Sequence, residues 1–410
     1  MRRDSLARLL ADGFALATSL VTATLTAHAL GLDGKGYYAT VTLLATLFVV
    51  AFEFGIGDAL VVLVGLGKAR LADAARATMQ ATLWFALAAT IAFLVTATML
   101  FAPLNSGDAV VLGLAGALVA VGVWYSTLVS LLIAVQQIVI LAAVSAVGSA
   151  VTAGVMVLLA IAYELDVQGA VVASLCGVAA ASVLTLLKAR AAGIALNPRH
   201  VPGYLGPAMR LGTGFQLPSL LVVAAARLDL LLVFKLGGAA AAGLYSVALT
   251  IGALVVSIPT AIAYAAFPRV SKLEEAQARA FVSRVFRNGM LGALVTALGL
   301  AAVTPIALPW VFGERFSPAV MPTLILLAAG VPWSGQWLLA RCASARGATA
   351  MLTWSFGVGF VVMLGLDFAL IPAYGESGAA CAALASSCVG LSVAAVLHFK
   401  AHRPQRTPTV

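Results

Sequence analysis

One long apolar stretch contains two opposite charges. Leu211 to Leu236 is 26 residues long, enough to span a bilayer, and it carries both Arg227 and Asp229. At about 1.5 Å per helical residue, Arg227 lies roughly 24 Å from the start of the stretch, inside a hydrocarbon layer about 30 Å thick. A charge near a helix centre costs about 2.5 to 3.5 kcal/mol to insert, so such residues usually face a bundle interior or a wet cavity. The stretch therefore predicts a polar site within a membrane.

Two interpretations of this pair remain open at the level of sequence. Arg227 can form a polar site for an anionic group of a substrate, or it can belong to an interhelical ion pair that only fixes packing. Residues two apart on a helix point to different sides and do not neutralise each other directly. We therefore expect Arg227 and Asp229 to find separate partners.

Four further acidic residues lie inside or near apolar stretches. Glu53 and Asp58 are five residues apart, which places them roughly 140° apart around a helix, so they do not share a face. We expect Glu53 to line a cavity or to meet a buried partner, and Asp58 to be interfacial. Asp12 lies one turn inside the first stretch, where an acid can meet the positive helix N-terminus. Asp367 lies about a turn from the outer end of its stretch and could be interfacial.

Composition identifies the elements that must position these charges. Hydrophobic residues make up 62% of the 410 residues and charged residues only 10%, whereas soluble domains are about one quarter charged. The chain is predicted to be a polytopic membrane protein. Its net charge of +9 comes from basic residues scattered between apolar runs, without an aromatic-interleaved patch, so no nucleic-acid partner is expected.

The apolar runs predict an all-α protein with twelve transmembrane helices, each near the length that a bilayer needs. Four prolines, Pro218, Pro259, Pro305 and Pro332, fall within runs of the second half, where they permit kinks. The runs lie near residues 9–30, 38–64, 78–101, 109–133, 139–162, 168–187, 211–236, 243–267, 288–311, 319–340, 350–371 and 378–399.

The basic residues predict the orientation of these helices. With a cytoplasmic N-terminus, 20 of the 24 lysines and arginines fall in inside segments. Only Lys35, Lys235 and Arg315 fall outside, and Arg227 falls in the membrane. Because inside loops of membrane proteins are enriched in basic residues, we expect both termini to be cytoplasmic.

The two halves of the chain resemble each other. Gly36-Tyr37-Tyr38-Ala39 is echoed by Gly243-Leu244-Tyr245-Ser246 at an offset of 207, and Trp124 by Trp333 at 209. Repeats with an even number of helices are parallel, related by an axis along the membrane normal. We therefore predict two six-helix bundles, residues 1–200 and 201–410.

No extramembrane segment exceeds about two dozen residues, so a soluble catalytic or nucleotide-binding domain has no room to fold. The chain carries neither a Gly-x-x-x-x-Gly-Lys loop nor a His-Glu-x-x-His motif, and its cysteines and histidines lack metal-ligand spacing. We predict a protein that is not an enzyme, with no catalytic residues, cofactor or metal.

Several short motifs are similar to those of the polysaccharide (oligosaccharide) flippases, within the multidrug/oligosaccharidyl-lipid/polysaccharide exporter superfamily. Gly31-Leu32-Asp33-Gly34-Lys35-Gly36-Tyr37-Tyr38 resembles an outer loop of this family, and Glu53-Phe54-Gly55-Ile56-Gly57 resembles its acid-x-Gly stretch. Asp229 with the following leucines resembles the seventh helix, and Ile371 to Ala380 resembles a signature before the last helix. Asp367 departs from this pattern, which has Asn.

The resemblance implies a MATE-like fold of two bundles around a cavity that opens alternately to each side. It implies a flippase that moves a prenyl-pyrophosphate-linked oligosaccharide across the bacterial inner membrane to the outer leaflet, for polysaccharide such as lipopolysaccharide. Arg227, Asp229 and Glu53 are then the expected cavity residues, Asp367 and Asp12 the coupling candidates, and a polymerase or glycosyltransferase of the same pathway a partner. The alternatives are a cation-coupled multidrug exporter of the same superfamily and a membrane-embedded polymerase or ligase.

Overall fold

A computed structural model describes most of the chain, and throughout the described ranges it is helical with no β-strand. The backbone is described for residues 2–103, 105–194, 196–199, 201–270, 273–345 and 350–401, and side chains are described for all of these except 2–12, 138, 264–265, 267–269, 275–276 and 399–401. The helices are α1 (Arg2–Phe52), α2 (Ile56–Gly65), α3 (Leu71–Phe101), α4 (Ser106–Ala134), α5 (Ile138–Ala162), α6 (Val167–Ala191), α7 (Leu205–Val270), α8 (Glu275–Phe312), a 3₁₀ turn (Glu314–Ala319), α9 (Val320–Ser344) and α10 (Ala350–Ala401).

Nine helices of the described part, all except α2, are long and apolar enough to cross a membrane. Their outward faces carry large apolar side chains, among them Trp310, Ile161 and Ile306, each at least 79% exposed. Water would oppose such exposure, whereas lipid chains accept it. The chain is therefore a multi-pass membrane protein, as its composition predicts.

Three helices are too long for one crossing, and each is interrupted by a glycine. α1, α7 and α10 contain 51, 66 and 52 residues, with non-helical backbone at Gly31, Gly238 and Gly375. Side-chain contacts show that the chain turns back at two of these glycines. In α7, Tyr245 bonds to Asp229, although 16 residues of straight helix would separate them by roughly 24 Å.

In α10, the Ser386 hydroxyl donates to the Gly359 carbonyl at 2.9 Å across 27 residues. If each of the three interrupted helices provides two crossings and each of the six unbroken long helices provides one, the described helices are consistent with the twelve predicted crossings. The breaks lie at glycines, whereas Pro332 lies inside α9 and Pro305 inside α8 without ending either helix.

The turns in α1 and α7 occupy equivalent places in the two halves. Gly31 has φ 65° and Gly238 has φ 88°, a left-handed backbone that glycine adopts without a Cβ penalty. The two glycines are 207 residues apart, the same offset that relates Gly36 to Gly243. The two backbone turns therefore recur at the same offset as the short motifs.

The paired glycines Gly36 and Gly243 mark a close backbone contact. A Cβ on Gly36 would overlap the carbonyl oxygen of Ala239, and a Cβ on Gly243 would overlap the carbonyl oxygen of Leu32. Leu32 and Ala239 are also 207 residues apart, so the contact is reciprocal. Side chains at either glycine would force the two segments apart.

The second predicted span, 38–64, is not one helix. α1 ends at Phe52 and α2 begins at Ile56, and between them Phe54 and Gly55 have φ 47° and 60°. The prediction of a continuous helix across Glu53 is therefore wrong, because tertiary contacts end the helix inside an apolar run.

Those contacts come from the first part of α7. The Gln216 amide donates to the carbonyls of Val50 at 2.6 Å and Ala51 at 3.2 Å. These carbonyls belong to the last turn of α1, where no intrahelical donor remains. A Cβ on Gly55 would overlap the carbonyl of Gly212, so the two backbones lie in direct contact.

Contacts divide the chain into two compact units. The first contains the residues up to Val223 together with Gly238–Gly243, and the second contains Ala224–Gly237 and the chain from Leu244 onward. The division falls within α7 because the start of α7 packs on α1 and α2. The repeat boundaries 1–200 and 201–410 stay a prediction.

Candidate functional site

Arg227 and Asp229 lie in the second unit, on the segment of α7 before Gly238. Both line a cavity of about 220 Å³ whose wall also includes Trp333 of α9 and Ser387 of α10. Arg227 is exposed whereas Asp229 is buried. The two side chains therefore point differently, as their spacing predicts.

Asp229 is held by donors from α7 itself. Its Oδ2 accepts a hydrogen bond of 2.5 Å from the Tyr245 hydroxyl, and its Oδ1 accepts one of 2.8 Å from the Leu230 amide. Asp229 is only 1% exposed and Tyr245 is fully buried. Tyr245 reaches the carboxylate because the turn at Gly238 brings the second segment of α7 back beside the first.

Arg227 has no such partner. Among the residues that the structure describes, its guanidinium forms no hydrogen bond and no ion pair, and only its charge acts on Asp229 and Tyr245. An interhelical ion pair that fixes packing is thus not observed for this side chain. The remaining wall is mostly small or apolar, including Ala226, Gly252 and Leu326, so Arg227 is the exposed cation of this cavity.

Asp367 is placed differently from its sequence expectation. It lies on the first segment of α10 and is fully buried, so the interfacial placement is wrong. Neither carboxyl oxygen has a hydrogen-bond partner among the described residues. The charges of Asp229 and Asp367 act on each other, which places two acids close together inside the second unit.

Glu53 lies in the first unit, in the turn between α1 and α2. It lines a cavity of about 650 Å³ with Asp58 and Tyr125, and the Ser126 hydroxyl lies within hydrogen-bonding reach of its carboxylate. Glu53 therefore both lines a cavity and has a polar partner, which are the two possibilities that its sequence left open. The structure brings Arg227 and Asp229 to one cavity and places Glu53 in a cavity of the first unit.

Asp12 lies outside the residues whose side chains the structure describes. Among the described residues, no group of three histidine, cysteine, aspartate or glutamate side chains could hold a metal ion.

Tyr245 is the site residue that sequence reasoning missed. The repeat pairs Tyr245 with Tyr38, which is buried in the first unit and bonds to Ser174 at 2.8 Å. A tyrosine retained at the same place in both repeats was the available signal. The repeat motif therefore indicated a buried hydroxyl at this place, although not its bond to Asp229.

The helical architecture is similar to that of solved membrane proteins of the multidrug/oligosaccharidyl-lipid/polysaccharide exporter fold. Among solved structures, the chain is similar to the lipid II flippase MurJ in an inward closed conformation, with a TM-score of 0.79 and 11% identity over 96% of this chain and 87% of that one. It is also similar to an inward-facing multidrug resistance MATE family transporter of the MOP superfamily, with a TM-score of 0.71 and 13% identity over 97% and 98%. A third match is a ligand complex of the MATE multidrug transporter DinF-BH, with a TM-score of 0.69 and 18% identity over 97% and 94%.

Sequence comparison then identifies the family. The profile described as polysaccharide biosynthesis protein matches residues 30–321, most of the chain. The chain belongs to this polysaccharide biosynthesis family. No curated protein matches it.

Proposed function

We propose that this protein is a flippase that moves a prenyl-pyrophosphate-linked oligosaccharide from the cytoplasmic to the outer leaflet by alternating access. Its family supports a role in polysaccharide biosynthesis, and its fold is one shared with a lipid II flippase. The observation that carries the proposal is Arg227, an exposed cation on a cavity wall inside an apolar span, with no ion-pair partner among the described residues.

Arg227 binds the pyrophosphate in this proposal. A guanidinium presents paired N–H donors that match phosphate oxygens, and a charge-assisted contact is strong where water is scarce. An unpaired cation is costly next to lipid, so an anionic ligand offsets that cost. Asp229 does not compete for Arg227, because its carboxylate oxygens accept from Tyr245 and Leu230.

A cation-coupled multidrug exporter is the second candidate, since MATE transporters share the fold. Its coupling site would be Asp367 with Asp229, two buried acids whose charges interact. The exposed guanidinium of Arg227 disfavours cationic drugs in the same cavity, because like charges repel strongly where water is excluded. For the flippase, too, Asp367 and Asp12 are the candidates for coupling transport to the movement of a cation.

The proposal involves transport and not bond making, so the protein is not an enzyme and needs no cofactor. It places the chain in the bacterial inner membrane with both termini in the cytoplasm, as the distribution of basic residues indicates. The polymerase or glycosyltransferases of the same pathway would act beside it.

The test is flipping of a fluorescent prenyl-pyrophosphate oligosaccharide by purified protein in liposomes. We expect Arg227→Ala to insert and fold but to lose flipping, since removing the charge also removes its insertion cost. Arg227→Lys should retain part of the activity, because a point charge attracts phosphate without the paired donors. Arg210→Ala is the matched control, since Arg210 is an exposed arginine near the start of the same helix.

Thermal stability must be measured on the same preparations. If Arg227→Ala is destabilised while its folded fraction flips at the wild-type rate, the pyrophosphate role is wrong. Export of cationic dyes in the absence of any lipid-linked sugar flipping would favour the drug exporter instead.

A further inference from the structure

The cavity of the first unit, which we call the acceptor cavity, has an unusual wall. It is lined by six serine and threonine side chains, by Tyr38 and Tyr125, and by the acids Glu53 and Asp58, with no lysine, arginine or histidine among its described lining residues. Its volume of about 650 Å³ falls within the range of pockets for small organic ligands. The polar groups must therefore decide which ligand enters.

The hydroxyl hydrogens of this wall are already used. Five of the six serines and threonines donate to a carbonyl of their own helix, as when Thr46 donates to Thr42, Ser130 to Ser126 and Thr152 to Gly148. Thr42 and Ser174 do the same, and the sixth, Ser126, has either the Val123 carbonyl or the Glu53 carboxylate as its acceptor. A hydroxyl has one hydrogen and two acceptor sites, so each of these oxygens can still accept.

The tyrosines leave few donors. Because Ser174 donates to Ala170, its 2.8 Å contact with Tyr38 uses the hydrogen of Tyr38. Tyr125 is then the hydroxyl of this lining with no hydrogen-bond partner among the described residues. With the Glu53 carboxylate added, the described wall offers many acceptors, and Tyr125 is its one open donor.

We propose that the acceptor cavity holds the sugar of the flipped substrate, and that it selects neutral or amino-bearing sugars over acidic ones. This inference rests on the proposed function. A hexose presents several hydroxyl donors and an amino sugar adds an ammonium, both of which the wall can satisfy. A uronic acid would bring its carboxylate towards the like charge of Glu53, with the Tyr125 hydroxyl as the one open donor of the described lining, and like charges at short range repel each other.

An organic cation is a different occupant that two carboxylates could attract. It would use one acid and the apolar part of the wall, and would leave the row of hydroxyl acceptors unpaired. A polyhydroxylated ligand can donate to the whole set, because each hydroxyl oxygen of the wall keeps an acceptor site. The sugar therefore fits the wall better.

Glu53 is the specificity-determining residue in this proposal. The turn at Phe54 and Gly55 directs its carboxylate into the cavity rather than along a helix face. A carboxylate accepts hydrogen bonds only, whereas the amide of glutamine both accepts and donates. Glu53→Gln therefore changes the donor content of the wall without changing its size.

The experiment uses three prenyl-pyrophosphate substrates that differ in one sugar: glucose, glucosamine with a free amine, and glucuronic acid. In liposomes, we expect the wild type to flip glucose and glucosamine at least about tenfold faster than glucuronic acid, because of the like-charge repulsion in the cavity. Glu53→Gln should reduce that difference, with faster flipping of glucuronic acid and slower flipping of glucosamine. Glu53→Asp should retain the wild-type order.

Two controls separate this selectivity from general loss of transport. Glu164→Gln changes an exposed acid that does not line the acceptor cavity and should leave the order unchanged. Arg227→Ala should slow all three substrates equally, because they share the pyrophosphate.

Equal wild-type rates for the three sugars would overturn the inference while flipping itself stands, and this comparison does not depend on any variant folding. A Glu53→Gln variant that slows all three substrates equally would also overturn it. The inference would also fail if Glu53→Gln weakened the binding of a cationic rhodamine dye and left the sugar selectivity unchanged. Folded protein that moves none of the three would overturn the proposed function and the inference together.

Discussion

The bond between Tyr245 and Asp229 gives the most direct test of how the second unit holds a buried acid. Tyr245→Phe removes one oxygen and leaves the ring in place. Both side chains are almost fully buried, so Oδ2 of Asp229 would lose its 2.5 Å donor in a place that water does not reach. The substitution therefore isolates the hydrogen bond from packing.

The expected loss follows from the charge of the acceptor. A hydrogen bond to a charged group contributes about 1.5 to 3 kcal/mol, and a buried group left unsatisfied loses that contribution. We expect Tyr245→Phe to lower the free energy of unfolding by about that amount. Since about 1.4 kcal/mol is a factor of ten, the folded-to-unfolded ratio should fall on the order of 10- to 100-fold.

The assay is denaturant unfolding of the purified protein in mixed micelles. Tyr163→Phe is the matched control, because Tyr163 is 73% exposed at the end of α5 and should change stability by less than about 0.5 kcal/mol. A double-mutant cycle with Asp229→Asn should give a coupling of about 0.5 kcal/mol or more, as expected for groups in one hydrogen-bond network. If Tyr245→Phe is as stable as Tyr163→Phe, the bond does not hold Asp229 and the reasoning is refuted.

Two further predictions concern the glycine contact and the orientation in the membrane. Gly36→Ala should lower the free energy of unfolding by about 1 to 3 kcal/mol, as overpacking does, because its Cβ would overlap the Ala239 carbonyl. The control is Gly113→Ala in α4, which has no atom within 4 Å of its Cβ position and should be neutral or stabilising in the same unfolding assay. Equal stabilities of the two variants would contradict the contact. In a variant without the four native cysteines, Ser377→Cys should react with an impermeant maleimide from outside and Ala276→Cys should not; the reverse pattern would overturn the cytoplasmic placement of the termini.

The helical fold could be predicted because its causes are local. A bilayer demands about 20 apolar residues for each crossing and intrahelical pairing of every backbone group, so apolar runs and their breaks indicated the segments. The turns at Gly31 and Gly238 share the offset of Gly36 and Gly243, although the short motifs predicted only the repeat and not these turns. The spacing of Arg227 and Asp229 correctly predicted that their side chains diverge.

The break at Glu53 could not be predicted from the run that contains it. Phe54 to Gly57 reads as an apolar helix segment, and the helix ends there because Gln216, more than 160 residues away in sequence, takes the carbonyls of Val50 and Ala51. The burial of Asp367 was missed for a similar reason. A position one turn from the end of a run looks interfacial, and only neighbouring helices remove it from water.

The reciprocal contact of the Leu32–Gly36 and Ala239–Gly243 segments limits how the two repeats can diverge. Each glycine gives room to a carbonyl of the other repeat, so a side chain gained in one copy would displace the backbone of the other. A side chain introduced at either glycine would clash with backbone atoms of the other repeat. A second substitution could not relieve that clash by making a side chain smaller, because the backbone itself would have to move. Related proteins that descend from one duplicated half should therefore vary in sequence on their lipid-facing surfaces, whereas the positions of Gly36 and Gly243 should both remain glycine.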